Sequence, residues 1–254
     1  MQYLYYLNKI QFSEGDTTKA FKFAKKLIKE DSNIDTITFL VFQSNNYEPF
    51  LRELGIKSND CKKHIIFNKD GLIIQVHTVR TYDPKYAIQG DPKCEILISV
   101  GVPPQELHQF VDKSRVKYWI LVPWLLEENK SFLSVHAAID LATGDVLNSI
   151  AEVDNRVKGA VKWLFATSYP NQGYHHPFDN NRLKQMSNAL AYFNVPLDFD
   201  SVHHYCINNG MLDSSARMTA DYFVKAQGRK FAVDRNTNYD FLKQMMEDND
   251  NYLA

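Results

Sequence analysis

Apolar residues form short continuous runs in the first part of the chain and recur at helical spacing in the last part. Two runs carry the clearest signal, residues 95–100 and 118–122, and prolines follow both. Continuous aliphatic runs of strand length, separated by helical material, are typical of a parallel sheet buried on both faces. Because the connection between these runs is too long for a hairpin, we expect two parallel and adjacent strands.

Further runs extend this pattern toward the N-terminus. Residues 3–7 and 36–42 are aromatic and β-branched and predict strands, with an amphipathic helix between them that begins near Asp16. The runs at 63–67 and 72–79 flank a turn sequence and predict a hairpin or a strand with a bulged partner. The pattern therefore predicts an α/β fold, a Rossmann-like and mostly parallel sheet with flanking helices.

The composition changes at residues 168–178, which combine two prolines, a glycine and several polar residues. We place a domain boundary there, with a Rossmann-like α/β domain over 1–167 and an all-helical domain over 168–254. The helical spacing of apolar residues predicts a three-helix unit within 180–228 and a terminal helix near 239–247.

Composition and charge narrow the class of protein. Hydrophobic residues make up 44% and charged residues 23% of the 254 positions, as in globular proteins that are not disordered. The net charge of −1 provides no overall positive field for nucleic acid or an anionic membrane. The chain shows no apolar run of membrane-spanning length and no basic leader at its N-terminus, so we expect a cytoplasmic protein without a membrane partner.

The cysteines give no sign of a disulfide framework or a zinc ribbon, since there are three of them and no C-x-x-C pair. His203 and Cys206 have a spacing that suits a shared metal ion, but no second spaced pair accompanies them. We therefore predict no metal site, and the sequence indicates no particular cofactor.

Candidate ligand-binding residues follow from the fold. In an open α/β sheet the ligand lies outside the carboxyl ends of the strands, where helix N-termini offer free N–H groups. Four segments follow predicted strands in this way: 11–18, 43–46, 101–105 and 123–129. The candidates within them are Thr17, Thr18, Ser44, Asn45, Gly101, Trp124, Glu127 and Glu128.

The hydroxyl residues have two interpretations. Thr17 and Thr18 stand at a helix start, where hydroxyls and backbone amides can hold a phosphate. The segment lacks both the dinucleotide pattern G-x-G-x-x-G and the P-loop pattern, and ordinary N-capping explains these residues as well. Ser44 and Asn45 suit either a ligand or a turn.

The remaining candidates, Gly101, Trp124, Glu127 and Glu128, could contact a ligand in three different ways. Gly101 permits close approach of a ligand or of a neighbouring helix, or it simply ends a strand. Trp124 offers a surface for a base or a sugar, beside Glu127 and Glu128, whose carboxylates can accept from ribose hydroxyls or bind a cation. Packing of the tryptophan and favourable charge at a helix start are the alternative interpretations.

The first functional hypothesis is therefore binding of a nucleotide or small polar metabolite at the carboxyl ends of these strands, with no catalytic residue identified. The alternative is a non-catalytic interaction or regulatory module that binds a protein partner or forms a homo-oligomer, suggested by 14 tyrosines and 16 phenylalanines. A third hypothesis is nucleic-acid binding through the three-helix unit, with Arg217 and Lys225 on the recognition helix. Residues 178–233 carry six basic and five acidic residues, which argues against it.

Overall fold

The computed structural model describes residues 2–57, 59, 65–69, 72–83, 94–111, 115–147, 150–233 and 237–247, with backbone alone at 65–69. The chain divides into two compact units, Met1–Asn148 and Ser149–Ala254. The first is an α/β unit and the second is helical, and each is described by itself below.

The first unit is built on one sheet. Its described strands are β1 (Tyr3–Tyr6), β2 (Ile34–Val41), β3 (Ile65–Lys69), β4 (Leu72–Thr78), β5 (Cys94–Val100), β6 (Val116–Val122) and β7 (Ile139–Asp140). They lie in the order β3-β4-β2-β5-β6-β1-β7. The predicted hairpin is confirmed, since β3 pairs antiparallel with β4, and every other pairing is parallel. The predicted parallel neighbours β5 and β6 are also confirmed.

Helices cover both faces of this sheet, which explains the continuous aliphatic runs. They are α1 (Asp16–Glu30), α2 (Tyr47–Leu51), α3 (Pro104–Leu107) and α4 (Leu126–Val135). Helices α1 and α2 pack with Ile96 and Ile98 on one face, and α3 and α4 pack with Leu97 and Trp119 on the other. The fold class is therefore confirmed as α/β and Rossmann-like.

The second unit is a bundle of helices around one apolar core. Its described helices are α5 (Asn155–Thr167), α6 (Pro177–Tyr192), α7 (Phe199–Asn208), α8 (Asp213–Gly228) and α9 (Tyr239–Glu247). Leu164, Leu190, Phe223 and Met246 are central to that core. Across the described part of the chain, no helix combines the length and the apolar character needed to cross a membrane.

The predicted boundary between 167 and 168 differs from the division in the structure, which falls between 148 and 149. Helix α5 belongs to the helical unit because Val157, Val161 and Leu164 are buried in its core. The change of composition at 168–178 is therefore a connection between α5 and α6 inside one unit. Because no strand follows α5 in the sequence, its apolar pattern alone does not indicate which of the two cores it joins.

The helical spacing of Phe132, Val135, Ala138 and Ile139 predicts a helix over about 131–141, and these bounds are wrong. Helix α4 begins at Leu126 and ends at Val135. Ala137 then adopts a left-handed conformation with φ +48°, and the amide of Ala138 donates to the carbonyl of Leu133 at 2.9 Å. This Schellman-type closure releases the chain into strand β7.

Candidate ligand site at the carboxyl rim

The order of the strands brings the four predicted segments side by side. They follow β1, β2, β5 and β6, which are neighbours in the order β2-β5-β6-β1. The amide of Phe12 donates to the carbonyl of Trp124 at 2.9 Å, and the amide of Gly101 donates to that of Val122, also at 2.9 Å. We call these four segments the carboxyl rim.

Gly101 lies where the direction of the connections changes. Strand β2 leads to α2 on one face of the sheet, and β5 leads to α3 on the other, which is the arrangement that opens a crevice in Rossmann-like sheets. Gly101 has φ +60°, and a Cβ built on it would lie 2.8 Å from Cε2 of Phe50. The close approach expected at Gly101 is therefore made by a residue of the neighbouring helix.

Three aromatic rings form a cluster at this point. The ring of Trp124 stacks on Phe12 with centroids 5.9 Å apart and meets Phe50 edge-on at 5.7 Å. The ring centroids of Phe12 and Phe50 are 5.0 Å apart. Phe50 is buried, whereas 45% of the surface of Trp124 is exposed. The cluster, here the rim aromatic cluster, thus holds Trp124 in place and leaves nearly half of it open.

The start of α1 is occupied by a carboxylate of the protein itself. The amide of Thr18 donates to Oε1 of Glu53 at 2.7 Å, and the amide of Gly15 donates to Oε2 of the same side chain. Thr17 is fully buried in the first turn of α1. No local pattern indicates Glu53 as the partner, because it is 35 residues away from Thr18 in the chain.

A second carboxylate holds the loop before α1. Asp16 is buried and accepts from the amide of Ser13 at 2.8 Å, and it forms ion pairs with Lys9 at 2.9 Å and Lys19 at 3.3 Å. Burial alone would raise the pKa of Asp16, but these hydrogen bonds outweigh it and the pKa is lowered. Asp16 is therefore a charged anchor of the rim.

The other predicted residues are exposed on the rim. Ser44 and Asn45 lie in a 3-10 turn, and Glu127 and Glu128 lie in the first turn of α4, where carboxylates interact favourably with the helix dipole. Glu127 also pairs with Lys130 at 2.5 Å. These side chains are accessible to a ligand, and the structure gives them ordinary local roles as well.

A polar cluster lies on the same sheet, toward the amino ends of its strands. Glu95 is buried near the start of β5, where it accepts from the hydroxyl of Thr38, and Nε of Arg115 lies 4.0 Å from its Oε2. Gln75 donates to the Thr38 hydroxyl at 2.7 Å, and Tyr82 lies beside the carboxylate. Burial raises the pKa of Glu95 above its ordinary value. In the sequence Glu95 belongs to the apolar run 95–100, so the pattern did not indicate a polar cluster there.

The sequence places His136 and Asp140 four residues apart, a spacing that on a helix suits either an acid–base set or an ordinary surface pair, but the structure puts them in different elements. His136 caps α4, whereas Asp140 lies in β7 and accepts from Asn8 at 2.8 Å. His203 forms a hydrogen bond with Asp213 at 2.8 Å, and Cys206 lies in the apolar core, where burial raises the pKa of its thiol. In the structure His203 thus has a carboxylate partner, and Cys206 packs among apolar side chains.

Comparison of the chain with protein families, with curated proteins and with solved structures found no significant match. The function is therefore argued from the geometry of the rim.

Proposed function

We propose that the first unit binds a nucleotide or another small polar metabolite at the carboxyl rim, with Trp124 as the stacking surface. The observation that carries this proposal is the half-exposed Trp124 ring, fixed by Phe12 and Phe50 where the rim segments meet. Stacking of a base on an aromatic side chain contributes about 1–3 kcal/mol and requires a ring held in place.

Polar groups around the ring support the same proposal. Ser44 and Asn45 expose a hydroxyl and an amide after β2, and Glu127 and Glu128 expose carboxylates after β6. Such groups orient a bound ring by hydrogen bonds to its edge or to a sugar. No side chain is assigned a catalytic role, and the proposal is one of binding.

Thermal-shift and calorimetric titrations with nucleobases, nucleosides, nucleotides and small polar metabolites test this proposal. We expect at least one ring compound to raise the Tm of the wild type. Trp124→Ala should weaken its binding at least tenfold, and Trp124→Phe should weaken it less. Tyr169→Ala, which removes an exposed aromatic side chain of the helical unit, is the matched control and should have no effect. The proposal fails if no compound binds or if Trp124→Ala binds like the wild type.

Self-association is the second candidate function. It is favoured by large apolar side chains that are exposed on the helical unit: Tyr169, Phe178, Tyr192, Leu212 and Phe241. Exposed aromatic residues of this kind are enriched at protein interfaces. Light scattering over a wide concentration range should then show a dimer, and a monomer at every concentration would contradict this candidate.

Nucleic-acid binding through the helical unit is the third candidate, and the charges of α8 do not favour it. Arg217 is exposed on this helix, but Lys225 pairs with Asp221 at 2.7 Å. Binding through phosphates weakens steeply with salt. Failure to bind a labelled oligonucleotide at low salt would remove this candidate.

A further inference from the structure

We infer that the ligand of the carboxyl rim is a planar ring compound without a phosphate group, a nucleobase or nucleoside rather than a nucleotide. This inference rests on the proposed function and narrows its ligand class. In Rossmann-like sheets a ligand phosphate is held by the free amides and the positive dipole end of a helix that starts at the rim. Two helices of at least ten residues start at the described rim, α1 after β1 and α4 after β6. The first turn of α4 carries the carboxylates of Glu127 and Glu128, which disfavour a phosphate there, and the start of α1 is the other position for one.

Three amides at the start of α1, those of Gly15, Asp16 and Thr18, already have acceptors within the protein. Glu53 accepts from Gly15 and Thr18 through its two carboxylate oxygens. The amide of Asp16 donates to the carbonyl of Ser13 at 3.2 Å, and the amide of Ser13 donates to the Asp16 carboxylate. The bidentate carboxylate of Glu53 thus takes the place in which a phosphate would be bound.

The charges around this position also disfavour a phosphate. Glu53 and Asp16 both present carboxylates at the start of α1, and like charges repel strongly where water is partly excluded. Lys9 and Lys19 are the cations that flank Asp16, and both are engaged by it. A ligand phosphate would have to displace Glu53 and compete with Asp16 for these lysines.

The aromatic part of the rim carries no such conflict. Nearly half of Trp124 is exposed, and the two side chains that contact its ring, Phe12 and Phe50, are uncharged. The geometry therefore separates the two parts of a nucleotide: the rim can accept the ring and rejects the phosphate.

Calorimetric titration of the full chain with the four common ribonucleosides and their 5′-monophosphates tests this inference. We expect a nucleoside to bind, its monophosphate to bind at least tenfold more weakly, and Trp124→Ala to weaken both. A monophosphate that binds the wild type as tightly as its nucleoside, or more tightly, would overturn the inference and leave the proposed function standing. If neither a nucleoside nor its monophosphate binds, the inference is overturned, and the proposed function then depends on the other compounds of the first titration. If both bind Trp124→Ala unchanged, the proposed function itself fails.

Glu53→Gln provides a second measurement, because it retains the shape of the side chain and removes its charge. We expect it to improve binding of the monophosphate relative to the nucleoside at least fivefold, with the nucleoside affinity unchanged. Glu48→Gln, at an exposed glutamate of α2, is the matched control and should leave the ratio as in the wild type. Equal ratios in the two variants would overturn the role of Glu53, and the wild-type comparison stands even if Glu53→Gln does not fold.

Discussion

The ring of Phe50 occupies the space that a side chain at Gly101 would need. A Cβ on Gly101 would lie 2.8 Å from Cε2 of Phe50 and nearer still to Cζ. This contact joins α2, on one face of the sheet, to the loop that leads from β5 to the other face. The same ring packs edge-on against Trp124, with ring centroids 5.7 Å apart.

Gly101→Ala should therefore destabilise the first unit by at least about 2 kcal/mol, from overpacking against a buried ring together with a left-handed φ. Gly144→Ala is the matched control, because Gly144 has φ +80° and no described atom lies within 4 Å of a Cβ built there. It should cost about 1 kcal/mol, from backbone strain alone. Urea unfolding measures both changes in the free energy of unfolding. Equal decreases in the two variants would show that the Phe50 ring moves aside without a loss of stability.

Gly159→Ala should destabilise the helical unit by about 2–3 kcal/mol. A Cβ on Gly159 would lie 2.9 Å from Cα of Met246 and closer to its carbonyl, and backbone cannot move aside as a flexible side chain can. Gly228→Ala, at the end of α8, meets no described atom within 4 Å and should be neutral or stabilising by up to about 1 kcal/mol. A harmless Gly159→Ala in thermal unfolding would contradict the close packing of α5 on α9.

Glu95→Gln should change how stability depends on pH. Burial raises the pKa of Glu95 in the folded protein, so the folded state binds a proton more readily than the unfolded chain. The contribution of Glu95 is then fully present below the unfolded pKa of about 4.3, and it is lost as pH rises through the folded pKa. The variant has no charge to bury, so its free energy of unfolding relative to wild type should increase over that range.

Denaturant unfolding at a series of pH values, from acid to slightly above neutral, measures this difference. Glu127→Gln, at an exposed glutamate of the same unit, is the control for loss of a carboxylate. A difference between Glu95→Gln and wild type that does not vary with pH would show that Thr38, Tyr82 and Arg115 stabilise the buried charge fully.

Ala137→Gly should stabilise the first unit by about 0.5–1 kcal/mol. Ala137 has φ +48°, which costs a residue with a Cβ more than it costs glycine, and glycine is the usual residue where a helix closes in this way. Ala160→Gly, inside α5, is the opposite control and should destabilise by about 1 kcal/mol. Differential scanning calorimetry distinguishes the two, and a loss of stability in Ala137→Gly would mean that the methyl group contributes packing.

Local patterns were enough to predict most elements and the class of the fold. The aliphatic runs of β5 and β6 predicted two parallel neighbours, because a strand that is buried on both faces carries apolar residues at nearly every position. Periodicity also predicted α1 and the helices of the second unit. It failed at Glu95, because the partners of this buried carboxylate, Thr38 in β2 and Arg115 just before β6, are distant in the sequence and leave no local pattern.

Partners across long separations could not be predicted in the same way. The rim candidates were named from the ends of strands, and the strand order then showed that their segments are neighbours, with β1 placed between β6 and β7. Glu53 at the start of α1, Phe50 against Gly101, and α5 in the helical core all depend on such contacts.

The alternation and the continuity of apolar residues thus specify which segments are strands and helices, because burial of each segment depends on its own side chains. The pairing of segments depends on the order of strands and on which face each connection covers, and these follow from packing of the whole unit. For that reason the sequence predicts a candidate ligand rim at the strand ends, whereas only the fold places Glu53 on the amides at the start of α1 and leaves Trp124 half exposed.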